Sequence, residues 1–133
     1  MANFEKYKEF VDTVTSNPSK NHTNFSQRLT GLHGVGCPIE RLLTGAVGMS
    51  AESGEFMEIV KKIIFQGKEY SEDNIEHLKI ELGDVMWYVA QAALALDITM
   101  EELLDMNIKK LSKRYPEGTF DAYYSENRAA DDR

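Results

Sequence analysis

Between Asp84 and Asp97 the chain runs through twelve residues, Val85 to Leu96, without a formal charge. From upstream of that run to its end, Ile75, Leu78, Leu82, Val85, Met86, Val89, Ala92, Ala93 and Leu96 recur in steps of three and four, the spacing of a helix. A helix that is apolar nearly all round is buried on more than one side. Twelve residues fall short of the roughly 18 that a membrane span needs, so the burial is expected against protein. Glu81 and Asp84 sit one turn apart on one face of this helix. Two carboxylates near a core lose hydration and repel each other, so they need a cation, a basic partner or a proton.

The rest of the chain reads as helices with recognisable ends. Asn3 caps a first helix to about Val14, whose face of Phe4, Tyr7, Phe10, Val11 and Val14 is that of a docking helix covering a core. Residues 16–24 form a loop, Phe25 to Leu32 a short helix, and residues 31–38 (GLHGVGCP) a flexible glycine-rich loop suited to a lid. That loop lacks the Gly-Lys-Ser/Thr ending of a phosphate-binding P-loop. A long helix opens at Pro38 or Ile39 and runs to Gln66, with Gly67 as its cap. Ser71 caps the central helix, and Thr99 with Glu102 forms a capping box for a last long helix to about Arg114. Leu103, Leu104, Ile108 and Leu111 are expected to hold this last helix to the core. No strand alternation interrupts this series. The expected fold is all-α, a bundle of four or five helices in one domain over 1–124, with a flexible charged tail over 125–133.

A second acidic pair, Glu52 and Glu55, has the same i, i+3 spacing on the preceding helix. The short turn between the two helices makes them antiparallel neighbours, so four carboxylates can converge across one seam. An all-oxygen set suits Mg²⁺, Mn²⁺ or Ca²⁺. A di-iron bundle would offer Glu-x-x-His pairs, and neither pair ends in histidine. On the last helix Asn107, Lys110 and Arg114 form one polar stripe that would suit a polyphosphate. A net charge of −7 and the lack of a basic run speak against nucleic acid as a partner. A single cysteine, Cys37, excludes an internal disulfide and fits the cytoplasm.

Three motifs in order carry a family resemblance. They are Ala51-Glu52-Ser53-Gly54-Glu55, then Glu81-Leu82-Gly83-Asp84-Val85-Met86-Trp87-Tyr88-Val89, then Asn107-x-x-Lys110-Leu111-x-x-Arg114-Tyr115-Pro116. Together they resemble the MazG-like nucleotide pyrophosphohydrolases of the all-α NTP pyrophosphatase superfamily, over about Leu42 to Phe120. The family pattern is E-E-x-x-E, a spacer, then E-x-x-D; here 25 residues separate Glu55 from Glu81. Ala51 stands where the family has the first glutamate of its pair. Lys62 stands where some relatives carry a tryptophan.

The resemblance implies hydrolysis of a nucleoside triphosphate to monophosphate and pyrophosphate, with deoxynucleotides favoured, in nucleotide-pool control. It implies Mg²⁺, with Mn²⁺ as a substitute, held by Glu52, Glu55, Glu81 and Asp84, and Glu52 or Glu55 handling the attacking water. Asn107, Lys110, Arg114 and Tyr115 would bind phosphates, with Tyr88 toward sugar or base and Lys62 as a further substrate contact. The uncharged run of the central helix argues for a homodimer or homotetramer. Two other readings share these residues: a non-catalytic helical oligomeric binding module, and a hydrolase of another phosphorylated nucleotide such as an alarmone.

Overall fold

A computed structural model describes residues 3–132, and among them the secondary structure is entirely helical. Six α-helices occur: α1 (Phe4–Val14), α2 (His22–Gly34), α3 (Ile39–Phe65), α4 (Glu72–Leu96), α5 (Met100–Arg114) and the short α6 (Ala122–Glu126). A 3₁₀ turn, Asn17–Ser19, precedes α2. No described helix is long and apolar enough to cross a membrane. The chain separates into two compact units, Met1–Glu40 and Arg41–Arg133.

In the first unit, Asn3 Oδ1 accepts from the Lys6 amide at 2.9 Å and starts α1. Nothing within this unit covers the apolar face of α1, and Phe4, Tyr7, Phe10 and Val14 are exposed. The short 3₁₀ turn packs on α2. That helix begins three residues earlier than its apolar pattern, because the Asn21 side chain accepts from the Asn24 amide at 3.1 Å. It also runs through the first half of the glycine-rich stretch. Only at Gly36, with φ of 79°, does the chain turn out of helix.

The second unit is organised by α3 and α4. Lys68 N–H donates to the Lys62 carbonyl at 3.1 Å, and Gly67 supplies the left-handed residue (φ 66°) that ends α3. Ser71 Oγ accepts from the Asn74 amide at 3.3 Å to begin α4. The helices meet where side chains vanish. A Cβ on Gly45 would lie 3.1 Å from the Ala92 Cβ, and one on Gly48 would overlap the Tyr88 ring. Partners on α4 fall in number as those on α3 rise, so the two helices run antiparallel. Gly45 and Gly48 are buried on this seam, and Ile59 of α3 and Ala93 of α4 are buried as well.

α5 starts with the expected capping box. The Glu102 amide donates to Thr99 Oγ1 at 3.1 Å, and Glu102 Oε2 accepts from the Thr99 amide at 2.9 Å. Those hydrogen bonds hold the Glu102 carboxyl below its ordinary range. Of the residues expected to hold this helix to a core, Leu103 alone is half-buried. Leu104, Ile108 and Leu111 are exposed, as are Met86, Trp87, Leu94 and Leu96 of α4 and Leu43, Val47 and Met57 of α3. Ile59, 5% exposed, and Ala93, 7% exposed, are the only buried apolar side chains among the described residues. The sequence anticipated more apolar surface than a short bundle could bury, and the structure leaves that surface bare.

Candidate metal centre

The antiparallel register carries the two acidic pairs to the same level. Glu52 follows Gly48 by one helical turn, as Asp84 precedes Tyr88 by one turn on α4. Glu52, Glu81 and Asp84 each offer a carboxylate oxygen within 4.8 Å of the others. Oxygens sharing one Mg²⁺, Mn²⁺ or Ca²⁺ at about 2.0–2.6 Å can stand no more than about 4–5 Å apart. The donor set therefore fits a hard divalent cation with little side-chain movement. Glu55 lies outside this trio, though its charge still acts on Glu52.

The electrostatics agree with a site built for positive charge. Loss of hydration, then the charges of Asp84, Glu81 and Glu55, raise the Glu52 carboxyl above its ordinary 4.5. The Glu81 side chain is only 13% exposed, and the His77 Nε2 lies 2.9 Å from its Oε1. The sequence reading passed over His77. Its i, i+4 offset from Glu81 was the available signal, and it orients one of the three carboxylates.

A pocket of about 360 Å³ opens beside the trio, lined by Glu52, Asp84, Trp87 and Tyr88. Trp87 is exposed in the single chain and meets Tyr88 edge-on at 4.8 Å between ring centres. Gly48 is what lets the Tyr88 ring lie flush with α3.

The remaining candidates stand elsewhere. Asn107 and Lys110 line a groove on α5, and no α5 residue lines the acidic pocket. Arg114 is engaged by Asp132, and the Tyr115 ring rests against Phe120 at 5.8 Å. Lys62 pairs with Glu58 at 3.3 Å, on the surface of α3.

Residues 43–119 match the family model of the MazG nucleotide pyrophosphohydrolase domain. The chain belongs to the MazG family. The match spans α3 to the turn after α5, the stretch that holds both acidic pairs. Gene 37 protein of Mycobacterium phage L5 is 40% identical over 82 residues, covering 60% of this chain and 71% of that one. No solved structure matches the chain significantly. The MazG domain thus brings nucleotide pyrophosphohydrolase chemistry to a helix pair that carries three convergent carboxylates.

Proposed function

We propose that this MazG domain hydrolyses nucleoside triphosphates, preferentially deoxynucleotides, to the monophosphate and pyrophosphate, and so helps set the composition of a nucleotide pool. The convergence of Glu52, Glu81 and Asp84 beside the Trp87–Tyr88 pocket carries this reading. Mg²⁺, with Mn²⁺ as a substitute, is the cation that such oxygens favour. Bound there, it would offset triphosphate charge and acidify a nearby water.

The chain's own residues supply the rest. Glu55, whose charge acts on Glu52, would take the proton of the attacking water, with Glu52 orienting that water. The water oxygen bonds to the α-phosphorus, the bond from that phosphorus to the α,β-bridging oxygen breaks, and pyrophosphate leaves. Tyr88, wedged over Gly48, presents an edge to sugar or base. Asn107, Lys110, Arg114 and Tyr115 hold phosphates, and Lys62 is a more distant substrate contact.

The acidic pocket and the α5 groove share no residue, and both helices leave apolar faces bare. A homodimer or homotetramer answers both facts, since a second copy can cover the faces and carry its α5 toward the pocket. The single Cys37 fits a cytoplasmic enzyme.

Incubation with each of the eight common NTPs and dNTPs and Mg²⁺, products resolved by ion exchange, tests the reaction beside an Asp84→Ala control. Monophosphate and pyrophosphate, lost in the control, are expected. Diphosphate and orthophosphate would overturn attack at the α-phosphorus. No product with Mg²⁺ or Mn²⁺ would turn attention to a rarer phosphorylated nucleotide or to a binding module.

A further inference from the structure

The residues after α6 return to α5. Arg114 Nε donates to Asp132 Oδ2 at 2.6 Å and Nη2 donates to Oδ1 at 3.0 Å. This two-bond fork is the geometry with which arginine grips carboxylate and phosphate alike. The pair is withdrawn from water, with the Arg114 side chain 13% exposed and that of Asp132 2% exposed. Next to it, Lys113 Nζ stands 3.4 Å from Asp131 Oδ2. Arg114, then the charges of Lys110 and Arg128, hold the Asp132 carboxyl below its ordinary range. The same segment closes over a groove of about 640 Å³ whose polar lining includes Asn107, Lys110, Lys113, Asp131 and Asp132.

Arg114 and Lys110 are assigned above to the triphosphate and Lys113 is their neighbour on α5, and a carboxylate pair already engages Arg114 and Lys113. An anion bound to Arg114 through the same fork must displace Asp132, since one guanidinium edge cannot serve both.

We propose that Asp131 and Asp132 form an internal strap that competes with the polyphosphate of the substrate for Arg114, Lys113 and Lys110. The identity of the displaced ligand rests on the pyrophosphohydrolase reading; the competition for an anion does not. A polyphosphate brings more charge than two carboxylates and spans all three cations, so it wins at sufficient concentration. The strap sets that concentration. Apparent affinity falls by the fraction of molecules with the strap open, so a strap closed nine times in ten weakens binding about tenfold. The enzyme would then respond to an excess of nucleotide and idle when it is scarce.

The test uses the full chain and inorganic tripolyphosphate without divalent metal, titrated calorimetrically into wild type and Asp132→Asn. The variant is expected to bind several-fold tighter. With Mg²⁺, its KM for the hydrolysed nucleotide is expected to fall by a similar factor while kcat stays unchanged. In wild type, tripolyphosphate is expected to speed tryptic cleavage after the exposed Arg128, because the segment is released. A folded Asp132→Asn that binds tripolyphosphate equally or more weakly would overturn the strap and make Asp132 a support for Arg114. Should the variant fail to fold, wild-type cleavage decides: a rate unmoved by tripolyphosphate also overturns it. If wild type hydrolyses no nucleotide yet tripolyphosphate still frees the segment, the strap stands and the pyrophosphohydrolase reading falls. If hydrolysis proceeds while cleavage and affinity are unmoved, the strap alone falls.

Discussion

Replacing Gly48 by alanine tests the seam that builds the site. A methyl group there would overlap Cγ, Cδ1 and Cε1 of the Tyr88 ring at once. These atoms are the root and flank of a ring, not the end of a flexible chain, so either the ring turns away or the helices part. The seam cannot readily slide, because at Gly45 an added Cβ would already stand 3.2 Å from the Ala92 nitrogen and 3.3 Å from the Tyr88 carbonyl oxygen. Alanine in a helix interior gains about 1 kcal/mol over glycine, while overpacking a seam costs about 1–3 kcal/mol. The net change is a loss of up to about 2 kcal/mol. Gly54, on the same helix with nothing within 4 Å of its added Cβ, is the matched control, and Gly54→Ala should show the gain alone. The two variants should therefore differ by about 1–3 kcal/mol, or about 3–12 °C in midpoint for a chain of this size, in metal-free thermal melts. Glu52 lies one turn, about 6 Å, beyond Gly48, so a displaced seam also changes its spacing from Asp84. Mn²⁺ affinity measured calorimetrically should fall in Gly48→Ala and hold in Gly54→Ala. If Gly48→Ala melts with Gly54→Ala and binds Mn²⁺ as wild type does, the reasoning about this seam is refuted.

Three further outcomes are expected. Mg²⁺ or Mn²⁺ at one hundred times its dissociation constant should stabilise the native chain by about 2.7 kcal/mol; the melting shift should disappear in Asp84→Asn and on chelation, and a shift that survives Asp84→Asn would place the ion elsewhere. Glu52 binds its proton more tightly in the folded chain than its ordinary 4.5, so its contribution to stability is full below 4.5 and is lost as pH rises through the raised value; metal-free Glu52→Gln should flatten that loss in urea titrations just above pH 4.5, and an unchanged slope would count against the crowding of carboxylates. Light scattering should give a mass two or four times the 15.1 kDa of one chain, with Leu94→Glu on the bare face of α4 shifting it toward the monomer; a wild-type monomer at micromolar concentration would defeat the assembly.

What the sequence disclosed was what depends on near neighbours. The caps at Asn3, Ser71 and Thr99 each involve a partner three residues away, and all three form. The acidic cluster was legible as four carboxylates, because i, i+3 spacing fixes a face and a short turn between two long helices fixes their relation; of the four, Glu52, Glu81 and Asp84 come within 4.8 Å of one another and Glu55 does not join them. The same logic would have reached His77, one turn from Glu81. Asn21 capping α2 was lost because the loop composition around it outweighed one side chain. The grip of Asp132 on Arg114 spans 18 residues and depends on the path through α6, which no local spacing encodes. That the Tyr88 ring fills the space left by Gly48 depends on the register of two helices, which no local spacing encodes.

That register also explains why site and bare surface occur on the same two helices. Glycines at 45 and 48 bring the backbones close enough for carboxylates one turn away to meet. Such a seam has little side-chain volume in it, so it leaves the larger apolar residues of α3 and α4 turned outward, as Val47, Met57, Met86 and Leu94 are. Removing side chains from the seam draws the ligands together and at the same time takes away core. Exposure of those residues in water is unfavourable by about 25 cal/mol for each Å² of apolar surface, and the three crowded carboxylates add repulsion. Both penalties are relieved from outside the chain, one by a cation and the other by an apolar surface. Metal binding and self-association are then expected to reinforce each other, since each steadies the α3–α4 pair on which the other depends.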